Sequence, residues 1–488
     1  MSTPSPGRRA ARGPRRPGRP ARPRPAAAPR RDGTAVAGAG LALLAGALLV
    51  GAQGVEAEPE PGVRPTAVPV DRVDAACASF PGQGPGQVLT LAAPLDGVAD
   101  TGSVEAGPVG GRASEVEGAR GRLQQVDVRR PRGDDPSAVR LAATDGAAVG
   151  RATFQVDAGD AGRAVQECLA PRSRWWFTGG GAGLDHASVL VLANIDPGPA
   201  VVDVRALDAE IEDDTPGVRG LTVQPGEVRV VDLLDIAPQA EEMAVSVEAG
   251  RGRVVAALAD SFATRPASSA GAEWVPAQTE PSRVVRLGPL PRDADRRTLV
   301  VGNPAGREAL VEVRVAGESG SFTPEGLTQL RVPPGAVVTA DLDEVVGEDP
   351  AAVVLRSPVR LTATVRTVSG DDVAYASVAP LLGGPAAAPV PRGLAATVTV
   401  TAGDQPGTAR AVAYSADGEE VDSAQLEVSP TATVSWRPER RPAYVVLTPG
   451  TGRLFGGVSL TGDDGVSAVP FRALPTDLRR PAVVPVVR

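Results

Sequence analysis

Along much of the chain, apolar and polar residues alternate one for one. Val311-Glu312-Val313-Arg314-Val315 puts three valines on one side of an extended strand and two charges on the other. Val202-Asp203-Val204-Arg205-Ala206 does the same. Runs of this kind, rich in Val and Thr and broken by Pro-Gly and Asn-Pro turns, predict antiparallel strands with one wet face. No long stretch sustains helical periodicity.

The pattern also repeats. One copy reads LVLANIDPGPAVVDVRAL, LTVQPGEVRVVDLLDI and GRVVAALADSFA; a second reads LVVGNPAGREALVEVRVA, LRVPPGAVVTADLDEV and VRLTATVRTV. Asn194 and Asn303 each precede the Pro of a Pro-Gly turn (Pro225, Pro334) by 31 residues, and Asp232-Leu233 and Asp341-Leu342 follow at matching offsets. A looser copy starts at ATVTVTAGDQPGTARAVAYS, and 87–170 reads as a degenerate first one. Short strands at regular spacing in units of this size predict β-sandwiches, Ig-like in the broad sense. The expected fold is therefore mainly β: a single N-terminal transmembrane helix, then tandem antiparallel sandwich modules in an elongated row. The boundaries expected are a tail at 1–32, an anchor at 33–53, a linker at 54–86, modules at 87–170, 171–265, 266–383 and 392–475, and a C-terminal tail at 476–488.

Charge sharpens the N-terminal part of that picture. All 50 basic residues are Arg, and ten of them lie in residues 1–32 beside a single acid, Asp32. The rest of the chain holds 40 Arg against 57 acids, so the body is acidic and nucleic acid is not the expected partner. From Gly33 to Val55 there is no charge, and Thr34–Ala52 would span roughly 28 Å as a helix, enough for a bilayer. The positive-inside rule then puts the Arg-rich tail in the cytoplasm and the body outside. A cleaved signal peptide is the alternative, with Val55-Glu56-Ala57 as a loose cleavage site. Either way the body is extracytoplasmic, where Cys77 and Cys168 are expected to pair.

Counting removes several chemistries. Without Lys there is no Walker A loop, Schiff base or Ser-x-x-Lys acylase, and one His rules out an H-E-x-x-H protease. A Ser-His-Asp triad would have to use His186, and Asp185 beside it cannot be assumed to orient it. Acid pairs such as Asp213-Asp214, Asp371-Asp372 and Asp463-Asp464 sit in turn-like contexts. No catalytic residue, cofactor or metal is expected.

Only 14 residues are Phe, Trp or Tyr, and three stand together in RSRWWFTGGG. On a strand, Trp175 and Phe177 share one face and Trp176 takes the other. Trp274 and Tyr375 sit at the corresponding place, the entry of the later modules, so an aromatic there is expected to anchor one module on its neighbour. Trp175, Trp176, Phe177 and Trp274 are the candidate ligand or inter-module contacts. The following glycines read as a flexible hairpin or connection, with His186 a surface residue beside it.

The order of motifs resembles a known family. A second Cys shortly before WWFTGG, then LVLANIDPGPAVVDV, EWVPAQ, LVVGNPAGREALVEV and DVAYASVAP, resembles the actinobacterial membrane-anchored family named domain of unknown function 5719, over about residues 70–475. Ile195-Asp196 departs from the family's usual Asn-Pro at that turn. The family has no established activity and brings no catalytic residues. The resemblance implies a role near an envelope glycosyltransferase in assembling surface polysaccharide. The expected function is thus a non-enzymatic scaffold or accessory at the cell membrane, single-pass, whose partners are the membrane and an envelope glycosyltransferase or surface polysaccharide. The alternative is a glycan-binding ectodomain that stacks exposed Trp rings on sugars.

Overall fold

The computed structural model describes Thr66–Arg480, apart from 81–85, 128–135, 159–161, 210–216, 264–269 and the single positions 279, 293, 348 and 464. The tail at 1–32, the anchor at 33–53 and the Asp213-Asp214 pair lie outside the described residues. Among the described residues no helix is long and apolar enough to cross a membrane.

The second sandwich shows the plan. One sheet runs Arg174–Gly180, Met243–Arg251, Ala200–Leu207, Gly217–Val223; the other runs Val228–Asp232, His186–Ala193, Val255–Ala263, Ala270–Val275. Counted along the chain, the first sheet takes strands one, six, three and four, and the second takes five, two, seven and eight. All pairings are antiparallel. Both inner faces supply one core, including Leu190, Leu192, Val202, Val204, Val245 and Val247, as period-two alternation requires.

The same order recurs three more times. The first sandwich pairs Arg72–Ala78, Ala138–Thr144, Thr101–Pro108, Ser114–Ala119 with Leu123–Val126, Gln87–Ala92, Arg151–Ala158, Arg163–Glu167. The fourth pairs Ala386–Pro389, Tyr444–Pro449, Gly407–Tyr414, Glu420–Val428 with Thr433–Trp436, Ala395–Ala402, Leu454–Gly462, Gly465–Pro470. In the third, strands six and seven merge into one 18-residue strand, Ala352–Ser369, which serves both sheets. Residues 72–78, placed on sequence in a linker, thus form the first strand of the first sandwich. Residues 270–275, grouped on sequence with the third module, close the second.

The modules are not in a row. The eighth strands, Arg163–Glu167, Ala270–Val275, Asp372–Ala376 and Gly465–Pro470, pack on one another in cyclic succession, so the fourth sandwich meets the first. Each also sends side chains into the sandwich before it. Ala272 and Trp274 pack on Ala78, Phe80 and Ala164. Tyr375 enters the second core, Val466 and Ala468 the third, and Val165 the fourth. Glycine makes this approach possible: a Cβ on Gly271 would lie 2.8 Å from the Asp372 Cα, and one on Gly162 would strike the Asp372 carboxylate. Thr66–Pro69 pairs with Asp477–Arg480, tying together the two ends of the described chain.

Candidate functional site

Two of the candidate rings are core. In Arg174–Gly180, Trp175 and Phe177 are buried in the second sandwich, and the Trp175 indole donates to the Val254 carbonyl at 3.0 Å. Trp176, on the other face, is half-buried. It borders a cleft of about 860 Å³ between the second and third sandwiches, with Arg174, Arg205, Glu248, Glu280 and Arg360 around it. The glycines after it are not a flexible connection. Gly179 and Gly180 finish the strand, Gly179 with φ +105°, and a Cβ on Gly181 would sit 2.6 Å from the Glu241 carbonyl oxygen. They are small because the third sandwich and a turn press on them.

Trp274 is buried and is an inter-module contact. Its indole donates to Asp157 of the first sandwich at 2.9 Å, and its ring meets Phe80 edge-on at 5.0 Å. Trp274 and Tyr375 stand on closing strands, not at module starts. Cys77 and Cys168 form the disulfide, with Cα atoms 4.5 Å apart, joining the first strand of the first sandwich to the residue just after its last.

His186 is buried, contrary to its expected surface position, and organises a dense polar cluster. It lies opposite Phe262 in the strand pairing, and Ser188 lies opposite Asp260. His186 Nδ1 is 3.1 Å from both Asp260 oxygens, Ser188 Oγ donates to Asp260, and the Tyr375 hydroxyl donates to its other oxygen. Arg366, from the third sandwich, donates to His186 Nε2 at 2.8 Å and to Glu242, and its guanidinium lies 4.2 Å from the Phe262 ring centre. A guanidinium can only donate, so in the neutral imidazole Nε2 accepts and the hydrogen sits on Nδ1 facing Asp260. In the imidazolium both nitrogens donate, Nδ1 facing Asp260 and Nε2 facing Glu242 3.9 Å away. Burial works against the imidazolium, but the Asp260 carboxylate outweighs it and His186 is pushed up to about 9. Burial alone would raise Asp260; His186, Ser188 and Tyr375 hold it below the usual carboxylate range.

Ser, His and Asp are all present here, yet the arrangement is not a nucleophile and its base. Ser188 bonds the carboxylate rather than the imidazole, and Arg366 occupies the nitrogen a nucleophilic hydroxyl would need. What the cluster does is join two sandwiches through charged hydrogen bonds in a dry setting.

A second cluster lies among the closing strands. Glu273 accepts from the backbone N–H of Val165 and of Trp274, while Asp372 accepts from Val466. Glu273 Oε2 and Asp372 Oδ1 are buried with no hydrogen-bond partner. Burial pushes Glu273 well above the carboxylate range and lifts Asp372 to about 7. Among the described residues no group of three His, Cys, Asp or Glu is placed to hold a metal ion.

The recurring asparagines are staples. Asn194 Nδ2 donates to the carbonyls of Gly198 and Val223, and its Oδ1 accepts from the Asp196 N–H. Asn303 repeats this with Arg307, Val332 and Ala305, and adds Pro333. The 31-residue spacing is the distance along the chain between two turns that one buried amide ties together.

A fourfold repeat of one eight-stranded sandwich, cross-tied by buried polar clusters, is the class of protein these features define. The chain belongs to the family of unknown function DUF5719, which it matches over residues 128–439. No curated protein matches it. Among solved structures it is similar to the Streptomyces avermitilis alpha-L-rhamnosidase complexed with L-rhamnose, at 11% identity and a TM-score of 0.12, covering 84% of this chain and 57% of that one. The chain thus spans little more than half the length of that enzyme, and at such a TM-score the likeness carries no argument.

Proposed function

We propose that the protein is a non-enzymatic, extracytoplasmic scaffold or accessory of cell-envelope assembly, held at the membrane by the uncharged segment at 33–53. The observation that carries this reading is how the titratable groups are used: His186, Asp260, Ser188, Arg366 and Glu242 are spent on one another across a module junction. Such joints stiffen a platform. The Cys77–Cys168 disulfide supports an oxidising compartment. The test is photo-cross-linking from the exposed faces of the body in native membranes. Capture of a membrane glycosyltransferase is the expected result. Recovery of the chain only with itself or with soluble cytoplasmic proteins would refute the reading.

A glycan-binding role has one observation in its favour, the half-buried Trp176 over a cleft that also carries arginines and acids. Trp175, Phe177 and Trp274 are buried and do not contribute to it. On this second reading Trp176→Ala abolishes retention on cell-wall polysaccharide while the melting temperature stays put; unchanged retention would dismiss it.

A further inference from the structure

A cleft of about 1570 Å³ lies where the first, second and fourth sandwiches meet. Its walls break the charge balance of the rest of the body. Six arginines line it (Arg72, Arg140, Arg151, Arg172, Arg253 and Arg472) against three acids, Asp74, Glu167 and Asp196. Beyond residue 53 the chain carries more acids than arginines, so an arginine-rich wall is a local departure from composition.

The three acids do not neutralise the six cations. Asp196 is taken by Arg253 in a two-point pair at 2.8 and 2.9 Å. Asp74 is shared by Arg72 and Arg140, the latter at 3.7 Å, and the Arg140 Nε is buried without a hydrogen-bond partner. Glu167 pairs with Arg472 at 3.4 Å, and burial pushes Glu167 above the usual range, which weakens its negative charge. Arg172 lies 5.5 Å from the centre of the Trp175 ring and is repelled by Arg472. Arg151 is 4% exposed and donates only to the Ala147 carbonyl at 3.0 Å and, at 3.5 Å, to the Thr90 hydroxyl. Arg151 makes no ion pair with any acid among the described residues, and Arg172 shares the field of Glu167 with Arg472. Leaving a buried guanidinium such as that of Arg151 without a counter-ion is costly, and six arginines against three acids leave the cleft a surplus of positive charge that an anion would offset.

We propose that this cleft binds a ligand bearing phosphoryl or carboxylate groups, with Arg172 and Arg253 at its rim and Arg140, Arg151 and Arg472 deeper in its wall. The shared chemistry is a phosphoryl or carboxylate group met by planar guanidinium donors, which recognise such groups two oxygens at a time. An acidic body around the cleft disfavours anions elsewhere. The inference goes beyond the scaffold reading and does not depend on it, since it needs neither membrane nor protein partner.

Binding of inorganic tripolyphosphate and of oligogalacturonate to the full chain in detergent, with neutral maltodextrin as control, tests it. The expected result is salt-sensitive binding of at least one anionic probe and none of maltodextrin. Tighter tripolyphosphate binding assigns the site to phosphoryl groups, and tighter oligogalacturonate binding to carboxylates. Arg172→Gln with Arg253→Gln, both at exposed positions, should weaken binding about tenfold or more, as expected for losing charged hydrogen bonds. Arg331→Gln with Arg356→Gln, away from the cleft, should leave it unchanged, and melting curves confirm that both double variants fold. Anion binding no stronger than maltodextrin binding, or equal losses in both double variants, overturns the proposal.

Discussion

His186 shows how a single side chain comes to serve a junction. Its strand, His186–Ala193, alternates so that His186, Ser188, Leu190 and Leu192 share one face. That signal was available in the sequence: a histidine four residues before a core leucine belongs inside. The glycine run beside it suggested a loop and concealed the register. Asp260 and Arg366 could not be foreseen, because they lie 74 and 180 residues away and meet His186 only through strand pairing and module docking. The pH consequence has a definite sign. A histidine whose pKa is raised on folding stabilises the fold below its unfolded value of about 6.5, and that contribution is lost as pH rises through about 9. Chemical denaturation should therefore show stability declining between pH 6.5 and 9, and His186→Asn should flatten that slope. A slope unchanged in the variant would mean that the imidazole is not charged in the folded protein. Asp372 acts in the more acidic range. Its carboxyl, raised to about 7 by burial, favours the fold when protonated, so stability falls as pH climbs from about 4 to 7. Asp372→Asn should be less sensitive across that window and at least as stable as the parent protein at pH 8, measured by the same unfolding curves.

At the scale of elements, the repeat was the most legible feature. Two Pro-Gly turns at a fixed distance from two asparagines mark equivalent hairpins, and the structure ties each pair of turns with one buried amide. Asn303 makes three donor contacts to carbonyls and accepts one N–H, all at 2.9–3.1 Å. Asn303→Ala strands those carbonyls and should cost about 2–4 kcal/mol, whereas Asn303→Asp cannot donate and should cost a similar amount. Thermal melts of the two variants check this; a melting temperature within a degree of the parent's in either one would mean the staple is dispensable. Module boundaries were less legible. The closing strand Ala270–Val275 groups on sequence with the module after it because it is short, rich in small residues and packed between neighbours. Val373, Ala374, Tyr375 and Ala376 are buried in a stretch of five residues, a pattern with no wet face to read. The merged strand Ala352–Ser369 hides a boundary in the same way, since one run of residues does the work of two strands.

For the whole molecule, the expectation of a row gives way to a closed arrangement. A row leaves each closing strand with one exposed edge and one exposed face; cyclic packing covers both, which is why these strands carry glycine, alanine and buried carboxylates. Composition could not show this, because the contacts that close the cycle join residues about 300 positions apart. Arg122 pairs with Asp417, and the Tyr444 hydroxyl donates to the Gly121 carbonyl. The family match covers residues 128–439 and so leaves out much of the first and fourth sandwiches, where the cycle closes. The measurement that tests closure most directly uses Arg122→Cys with Asp417→Cys, two exposed positions 295 residues apart in sequence and paired across the first and fourth sandwiches. Treated with a short bis-maleimide at low protein concentration and then cut between the modules, the two fragments should stay covalently joined in monomeric protein. Separate fragments, with linkage only in dimers, would contradict the closed arrangement of four sandwiches.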